Sequence, residues 1–203
     1  MKIYSSPVAP SPRKVLIFVA EKGIDNVQIV NLDLGKLEHK TPEYKKIAPN
    51  SRVPALELES GEVILETTAI CRYLECKYPE PNMFGTDPME IAHIEMWYSR
   101  VSFELMMPLM HGFRHTHPHM SQLENQNNEF GLAQRELAVN SLKHYEELIC
   151  DKEFLTCKKF TYADIQMVTS LQFLVRLNKI DINDYQNLKT YIDNIAARPS
   201  FSL

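Results

Sequence analysis

Residues Asn50–Ile70, NSRVPALELESGEVILETTAI, decide the fold of this chain. Two short runs, Ala55–Glu59 and Glu62–Leu65, carry the β-prone residues and are separated only by Ser60 and Gly61. Because serine and glycine favour tight turns between strands, this spacing predicts a β-hairpin. An apolar helical pattern begins directly after the hairpin, so the stretch predicts two antiparallel strands followed by a helix.

The residues before the hairpin predict a second pair of strands. Lys2–Ser5 and Val27–Leu32 have strand character, and a helical pattern lies between them. Strands that are joined through a helix pair in parallel with a right-handed crossover, so a βαβ unit is expected. We expect Val27–Leu32 to be mostly buried. Together with a helix over Thr68–Tyr78, these elements make a thioredoxin-like βαβ-ββα domain at residues 1–80.

The first helix has a sharp predicted start and end. Ser11 is suited to cap the helix, and Pro12 is suited to its first position, where a missing N–H has no cost. Gly23 is favourable just past the last turn. The helix is therefore expected to lie between these residues, with its start facing the turn that follows the first strand.

The second half of the chain predicts helices alone. Strand signals stop after the Pro79–Pro88 segment, and Asp87 begins a long amphipathic helix that is expected to reach about Phe113. Thr161 and Asp164 have the spacing of a capping box ahead of a further apolar helix. The fold class is therefore α/β plus all-α, with an all-helical second domain at residues 88–203.

Charge and cysteine content exclude several classes of function. The chain has 203 residues, is 44% hydrophobic and has a formal net charge of -4. No long basic run is present, so nucleic acid is not an expected partner. The longest apolar run, Val15–Ala20, is far shorter than the roughly 20 residues that cross a membrane, and no secretory signal is recognised. The four cysteines form no CxxC pair, which predicts a reduced, cytoplasmic protein; they are Cys71, Cys76, Cys150 and Cys157.

Four stretches, together with the order of the predicted elements, resemble the cytosolic glutathione transferases. They keep the order and approximate spacing of that family's motifs, and the likeness covers nearly the whole chain. It is greatest to bacterial members, with nu-class features in the turn after the first strand. The stretches are Ser6-Pro7 with Arg13–Val15 and Ala20–Ile24, then Asn50–Leu56, Glu66–Ile70, and Phe160–Ile165.

The resemblance implies that the first domain binds glutathione as a co-substrate. The family's cis-proline turn, here Val53-Pro54, pairs its backbone with the cysteinyl part of the tripeptide. Glu66 and Thr67 match the positions that hold the ammonium group and the γ-glutamyl carboxylate. Arg52 stands where many members have a side chain facing the ligand. His39 and Lys40 match a pair that reaches the glycine carboxylate in plant phi-class enzymes.

The expected site must also activate the thiol, at the turn after the first strand. The turn after the first strand contains no cysteine, so the reactive thiol must belong to bound glutathione. The resemblance places the usual catalytic serine or cysteine of several classes at Ala9, which cannot donate a hydrogen bond. The nu-class position two residues later is Ser11, our candidate catalytic residue. A backbone N–H near Pro12–Lys14 is the alternative, while Tyr4 is expected to be packed.

The resemblance also implies an electrophile pocket against the long helix and a homodimer. We expect no metal site, because the alternate histidines of His115–His119 have no cysteine or carboxylate close by in sequence. They are expected to be loop or pocket residues. The candidate pocket residues are Tyr98, Met106, Met110 and Arg114.

Two functions from different classes follow from these features. The first is a glutathione transferase, whose bound thiolate attacks a hydrophobic electrophile or a hydroperoxide. The second is a non-catalytic scaffold of the same fold, similar to the stringent starvation proteins, and Ala9 keeps this alternative open. The predicted ligand contacts at Val53-Pro54 and Glu66-Thr67 favour the enzyme.

Overall fold

The hairpin forms half of a four-stranded sheet. A computed structural model describes residues 1–156 and 159–202, so Cys157 lies outside the described residues. The strands have the order β2-β1-β3-β4. Pairing is parallel between β1 and β2 and antiparallel elsewhere, which confirms both the βαβ unit and the hairpin. The bounds are β1 (Lys2–Ser5), β2 (Gln28–Asn31), β3 (Ala55–Glu57) and β4 (Val63–Leu65).

Strand β2 is mostly exposed, so the prediction of a mostly buried strand is wrong. Its position at the edge of the sheet explains the difference, because only β1 pairs with it. Gln28 and Asn31 are exposed, and Ile29 keeps 39% of its surface accessible. Val30 alone packs against the core cluster around Tyr4, where it is half-buried.

Helix α1 (Pro10–Glu21) begins earlier than predicted. Its N-cap is Ala9, without a side-chain hydrogen bond, so Ser11 is the second helical residue and not the cap. Two prolines fit the first turn because the first N–H groups of a helix have no intrahelical partner. Gly23, with φ +61°, follows the last turn as predicted.

Helices α2 (Pro42–Ile47) and α3 (Thr67–Lys77) complete the first compact unit, Met1–Met83. A buried ion pair between Lys22 and Glu75 joins the end of α1 to α3. The Lys22 ammonium also donates to the carbonyl oxygens of Tyr78 at 2.9 Å and Pro81 at 2.7 Å. Because removing one partner of such a pair strands a buried charge, these contacts keep the two helices in one fixed arrangement.

The second unit, Phe84–Ser202, is helical throughout its described elements. Asp87 caps α4 as predicted, and the helical run continues past Phe113 to the end of α5. A π-helical stretch, Val101–Met106, joins the two helices and was not predicted. Pro108 accounts for it, because proline lacks an N–H and disfavours the preceding regular turn. The helices are α4 (Pro88–Arg100), α5 (Met107–Thr116), α6 (Asn128–Leu148), α7 (Tyr162–Arg176) and α8 (Gln186–Ala196).

Candidate functional site

Four connecting segments meet at one edge of the sheet. The strand register pairs Ser5 with Asn31, so the ends of β1 and β2 lie side by side. Ala55 pairs with both Tyr4 and Leu65, which places the start of β3 and the end of β4 at the same edge. The turn before α1, the loop after β2, the proline turn before β3 and the start of α3 therefore converge there. These are the segments that carry the predicted glutathione residues.

The proline turn before β3 is held by groups on both of its sides. The Val53-Pro54 peptide bond is cis, as the resemblance implied. The Tyr44 hydroxyl donates to the Arg52 carbonyl oxygen at 2.8 Å, and the Arg52 N–H donates to Asn50 Oδ1 at 3.1 Å. Strand pairing begins only after the turn, so the sheet does not use the Val53 backbone. The role of Tyr44 was missed, because its partner lies in another element.

The start of α3 is an uncapped helix N-terminus. Glu66 is the N-cap residue, and its side chain is exposed and caps no backbone N–H. Its φ of 70° lies in the left-handed region, a strained conformation that is most often found at functional sites. The first turn contains no acidic side chain, and Thr67 begins the helix with a half-buried side chain. Such an end attracts a carboxylate through its N–H groups and its dipole.

At the start of α1, Ser11 has hydrogen-bond donors that the protein itself does not use. Pro10 and Pro12 have no N–H, and the Arg13 N–H donates to the Ala9 carbonyl oxygen at 3.4 Å. Across residues 1–156 and 159–202, neither the N–H nor the hydroxyl of Ser11 has a hydrogen-bond partner, and the residue is half-buried. The Arg13 N–H is thus engaged within the helix, the backbone alternative near Pro12–Lys14 stays a prediction, and the Ser11 N–H is a further donor at this helix start.

His39 and Lys40 lie together in a short 3-10 turn after β2 but differ in burial. His39 is buried and Lys40 is exposed. Burial, and then the positive charge of Lys40, lowers the pKa of His39 below its usual value. Its Nδ1 finds no partner within the described residues. Near neutral pH the pair therefore offers one positive charge, on Lys40, and a neutral imidazole.

Tyr4 is packed, as predicted. Its hydroxyl donates to Glu57 Oε2 at 2.7 Å, and its ring lies 5.6 Å from the ring of Tyr44. Burial, and then the hydrogen bond to the Glu57 carboxylate, raises the pKa of Tyr4 to about 12. The hydroxyl is already committed to a carboxylate, so it is a poor donor for a ligand sulfur.

The four candidate pocket residues all lie on the α4–α5 run. Tyr98 stacks on Tyr162 with ring centroids 5.3 Å apart, and Met106 is buried. Met110 and Arg114 are half-buried, and the Arg114 guanidinium forms an ion pair with Glu124. Tyr98 and Met106 thus contribute to the packing of this unit, and the role of all four in a pocket stays a prediction.

Two histidines of the segment His115–His119 form hydrogen bonds with the backbone of the connection between α5 and α6. His115 Nδ1 accepts from the Asn127 N–H at 3.1 Å, and His117 Nδ1 accepts from the His119 N–H at 3.3 Å. Both rings therefore accept backbone N–H groups of the segment between α5 and α6. His115 itself lies on α5, and His117 and His119 follow the helix, so the expectation of loop or pocket residues holds as loop for these two.

The fold and the site edge of the sheet together define a class of protein. In this class a thioredoxin-like domain with a cis-proline turn is followed in sequence by an all-helical domain. Residues 8–77 match the family described as "Glutathione S-transferase, N-terminal domain", and residues 94–199 match "Glutathione S-transferase, C-terminal domain". The chain belongs to the glutathione S-transferase family. The predicted family, fold class and transferase type of enzyme are thereby confirmed.

Individual relatives match this chain over nearly its whole length. It is 32% identical to "Glutathione S-transferase 2" of Saccharomyces cerevisiae, over 98% of this chain and 87% of that protein. It is 27% identical to a maleylacetoacetate isomerase of Pseudomonas aeruginosa, over 99% of this chain and 93% of that protein. The crystal structure of Gtt2 from Saccharomyces cerevisiae superposes with a TM-score of 0.91 at 32% identity, covering 100% of this chain and 99% of that one.

Proposed function

We propose that this protein is a glutathione transferase that ionises the thiol of bound glutathione at the edge of the sheet. The observation that carries the proposal is the convergence of the four segments there, with two uncapped helix N-termini among them. Residues 1–80 bind glutathione, and residues 88–203 supply the electrophile pocket. In this scheme the protein activates a nucleophile that belongs to the ligand.

Each part of the tripeptide has a matching group at this edge. The N–H groups and hydroxyl at Thr67 receive the γ-glutamyl carboxylate, and Glu66 receives the ammonium group. The backbone of Val53, before Pro54, pairs with the cysteinyl residue. Lys40 and the exposed Arg52 supply positive charge for the glycine carboxylate, and the neutral His39 imidazole supplies a hydrogen bond.

Ser11 stabilises the thiolate in this proposal. Its hydroxyl and its N–H both lie at the positive end of the α1 dipole, where an anion is favoured. The thiolate attacks an electrophilic carbon; a C–S bond forms and the leaving group departs with the electron pair. With a hydroperoxide, sulfur takes the terminal oxygen and an alcohol leaves, and a second glutathione then releases water and the disulfide. Tyr98, Met106, Met110 and Arg114 are the candidate residues for binding the electrophile in this proposal.

Ala9 favours a second candidate function, a binding scaffold without catalysis. The position where several classes carry their catalytic side chain has no donor in this chain. A scaffold, however, has no need of the strained Glu66 backbone or of unused donors at Ser11. The two functions differ in a measurable property, the ionisation of a bound thiol.

Titration of the thiol of bound glutathione tests the proposal. The purified protein is mixed with glutathione, and thiolate absorbance in the ultraviolet is followed as pH is raised. We expect a saturable signal with a thiol pKa at least one unit below that of free glutathione. S-methylglutathione, which has no thiol, is the matched control and gives no signal. Absence of a saturable thiolate signal would favour the scaffold.

Thr67→Ala is expected to weaken glutathione binding about tenfold, because a hydrogen bond to a charged group is worth about 1.5 kcal/mol at its lower limit. The ligand thiol pKa should stay unchanged, since the carboxylate lies at the far end of the tripeptide. Isothermal titration calorimetry measures the affinity. Thr67→Ser keeps the hydroxyl and is expected to bind as the wild type does. Equal affinities for the alanine and serine variants would contradict the assignment.

The proposal also includes a cytoplasmic homodimer. Among the described residues, no helix combines the length and apolar character needed to cross a membrane. Several apolar side chains on the α4–α5 run are open to solvent, with Met89 63% and Phe103 64% exposed. In the proposed homodimer a second copy covers apolar side chains of this run. Sedimentation velocity at two protein concentrations measures the oligomeric state.

A further inference from the structure

A lysine side chain is buried in the interior of the first unit and has no part in the chemistry described so far. Lys14 lies on α1, and only 6% of its surface is exposed. Lysine is rarely buried to this extent, because removing an ammonium ion from water is unfavourable. Burial therefore lowers the pKa of Lys14 to about 8, an effect that the nearby Cys71 thiol partly offsets. Groups perturbed in this way occur most often at functional sites.

The place of Lys14 on α1 relates it to the proposed thiol site. It follows Ser11 by three residues, so the two side chains lie on the same side of the helix, one turn apart. Helical side chains lean toward the N-terminus of their helix, which directs the Lys14 ammonium back toward the first turn. Its neighbour on α3, Cys71, follows the first residue of that helix, Thr67, by one turn. The ammonium group is thus placed between the first turns of the two helices that form the proposed thiol and γ-glutamyl sites.

The groups that share this interior with Lys14 come from α3 and β1. Cys71 faces it from α3. Strand β1 presents Ile3 and Ser5 to this side, because Tyr4 packs on the other face of the sheet, against α2. Neither residue is ionisable, and the buried Ser5 hydroxyl has no hydrogen-bond partner among residues 1–156 and 159–202. The charged residues closest along the same two helices are Arg13, Arg72 and the ion pair of Lys22 with Glu75.

A positive charge between two helix starts is unfavourable in the free protein and favourable once an anion is bound. Both helix starts carry partial positive charge, which opposes a nearby ammonium ion. Bound glutathione would bring a carboxylate to α3 and a thiolate to α1, and both negative groups favour the ammonium form. The interaction is reciprocal, because a charge that stabilises the thiolate is itself stabilised by the thiolate to the same extent.

We propose that Lys14 stabilises the glutathione thiolate through its positive charge, without contacting the ligand. This inference deepens the proposed function and rests on it. It explains how a chain with Ala9 in place of a hydroxyl or thiol still ionises its ligand, since the donors of Ser11 and the charge of Lys14 act together. Two unit charges about 10 Å apart near a protein surface interact strongly enough to change an ionisation constant about tenfold.

Lys14→Met removes the charge and keeps an unbranched side chain of similar length. We expect the thiol of bound glutathione, followed by thiolate absorbance, to ionise about one pH unit higher than in the wild type. Lys77→Met makes the same chemical change at the exposed end of α3 and should leave the thiol unchanged. Because a buried ammonium ion opposes folding, the Lys14 variant should keep or raise the thermal midpoint at neutral pH.

A second measurement uses the wild-type chain and does not depend on the folding of a variant. An isotope label at lysine Cε reports the protonation of each ammonium group by NMR, and Lys14 is recognised by its low midpoint in the free protein. This midpoint should lie about one pH unit higher with bound glutathione than with bound S-methylglutathione, which has the same carboxylates but no thiol. A lysine with only a structural role would titrate alike in both complexes.

The outcomes separate this inference from the proposed function. Equal Lys14 midpoints in the two complexes, or an unchanged thiol in Lys14→Met, would overturn the role of Lys14 while glutathione still binds as a thiolate. Absence of a saturable thiolate signal in the wild type would overturn the proposed function and the role of Lys14 together.

Discussion

Replacing Ser11 by alanine is expected to lower kcat/KM for glutathione and 1-chloro-2,4-dinitrobenzene about 10- to 100-fold. In the proposed site the hydroxyl donates to the thiolate at the start of α1, and a hydrogen bond to a charged group is worth about 1.5–3 kcal/mol. Since one pKa unit corresponds to about 1.4 kcal/mol, the pKa of the bound thiol should rise by about one to two units. Glutathione affinity should change little at pH values where the thiol is protonated.

The pH dependence of kcat/KM tests this prediction separately, because it would not shift if Ser11 had only a structural role. Because the Ser11→Ala change raises the thiol pKa, the acidic limb of the kcat/KM profile should shift to higher pH by the same amount. Ser11→Thr retains a hydroxyl and should restore most of the activity. If the alanine variant keeps the wild-type thiol pKa, the hydroxyl is not the donor. A backbone N–H at the start of α1, near Pro12–Lys14 or at Ser11, would then be the donor.

The start of α1 shows where local sequence rules reach their limit. Serine and Pro12 together are a favourable N-cap and first position, yet the helix begins at Pro10. A helix that starts at Pro10 and one that starts at Pro12 both place a proline where no N–H is needed. Local preferences therefore do not decide between the two starts. The difference matters for function, because a capping hydroxyl would be directed to the helix backbone. The observed register leaves it available to a ligand.

Sheet order limited the prediction in a different way. The pattern of Val27–Leu32 indicated a strand correctly, but the same apolar residues suit a central or an edge position. Only the pairing of β1 with β3 reveals that β2 has one neighbour. The convergence of the site segments follows from that same strand order. The resemblance therefore named the candidate ligand residues, and the fold showed that their segments lie at one edge of the sheet.

Contacts between elements that are distant in sequence were the least predictable feature of the structure, as the start of α7 shows. The capping box of α7 was predicted from Thr161 and Asp164, and the structure contains it. Two further donors to the Asp164 carboxylate come from elsewhere: the Leu155 N–H at 2.8 Å and the Tyr191 hydroxyl at 2.5 Å. No periodicity connects these positions, because tertiary packing alone brings α8 and the preceding loop to the start of α7.

Asp164→Ala is therefore expected to destabilise the helical unit by about 3–5 kcal/mol, far beyond the loss of a helix cap alone. The carboxylate is inaccessible to solvent and also accepts from the Thr161 N–H at 2.7 Å and hydroxyl at 2.8 Å. Removing it leaves buried donors from three segments without an acceptor. Urea unfolding followed by helical circular dichroism measures the loss.

Two further variants are the controls. Tyr191→Phe removes one donor and should lower the free energy of unfolding by about 1–2 kcal/mol, whereas Asp184→Ala, at an exposed position, should change it by less than about 0.5 kcal/mol. A loss below about 1 kcal/mol for Asp164→Ala would show that the carboxylate acts only as a local cap.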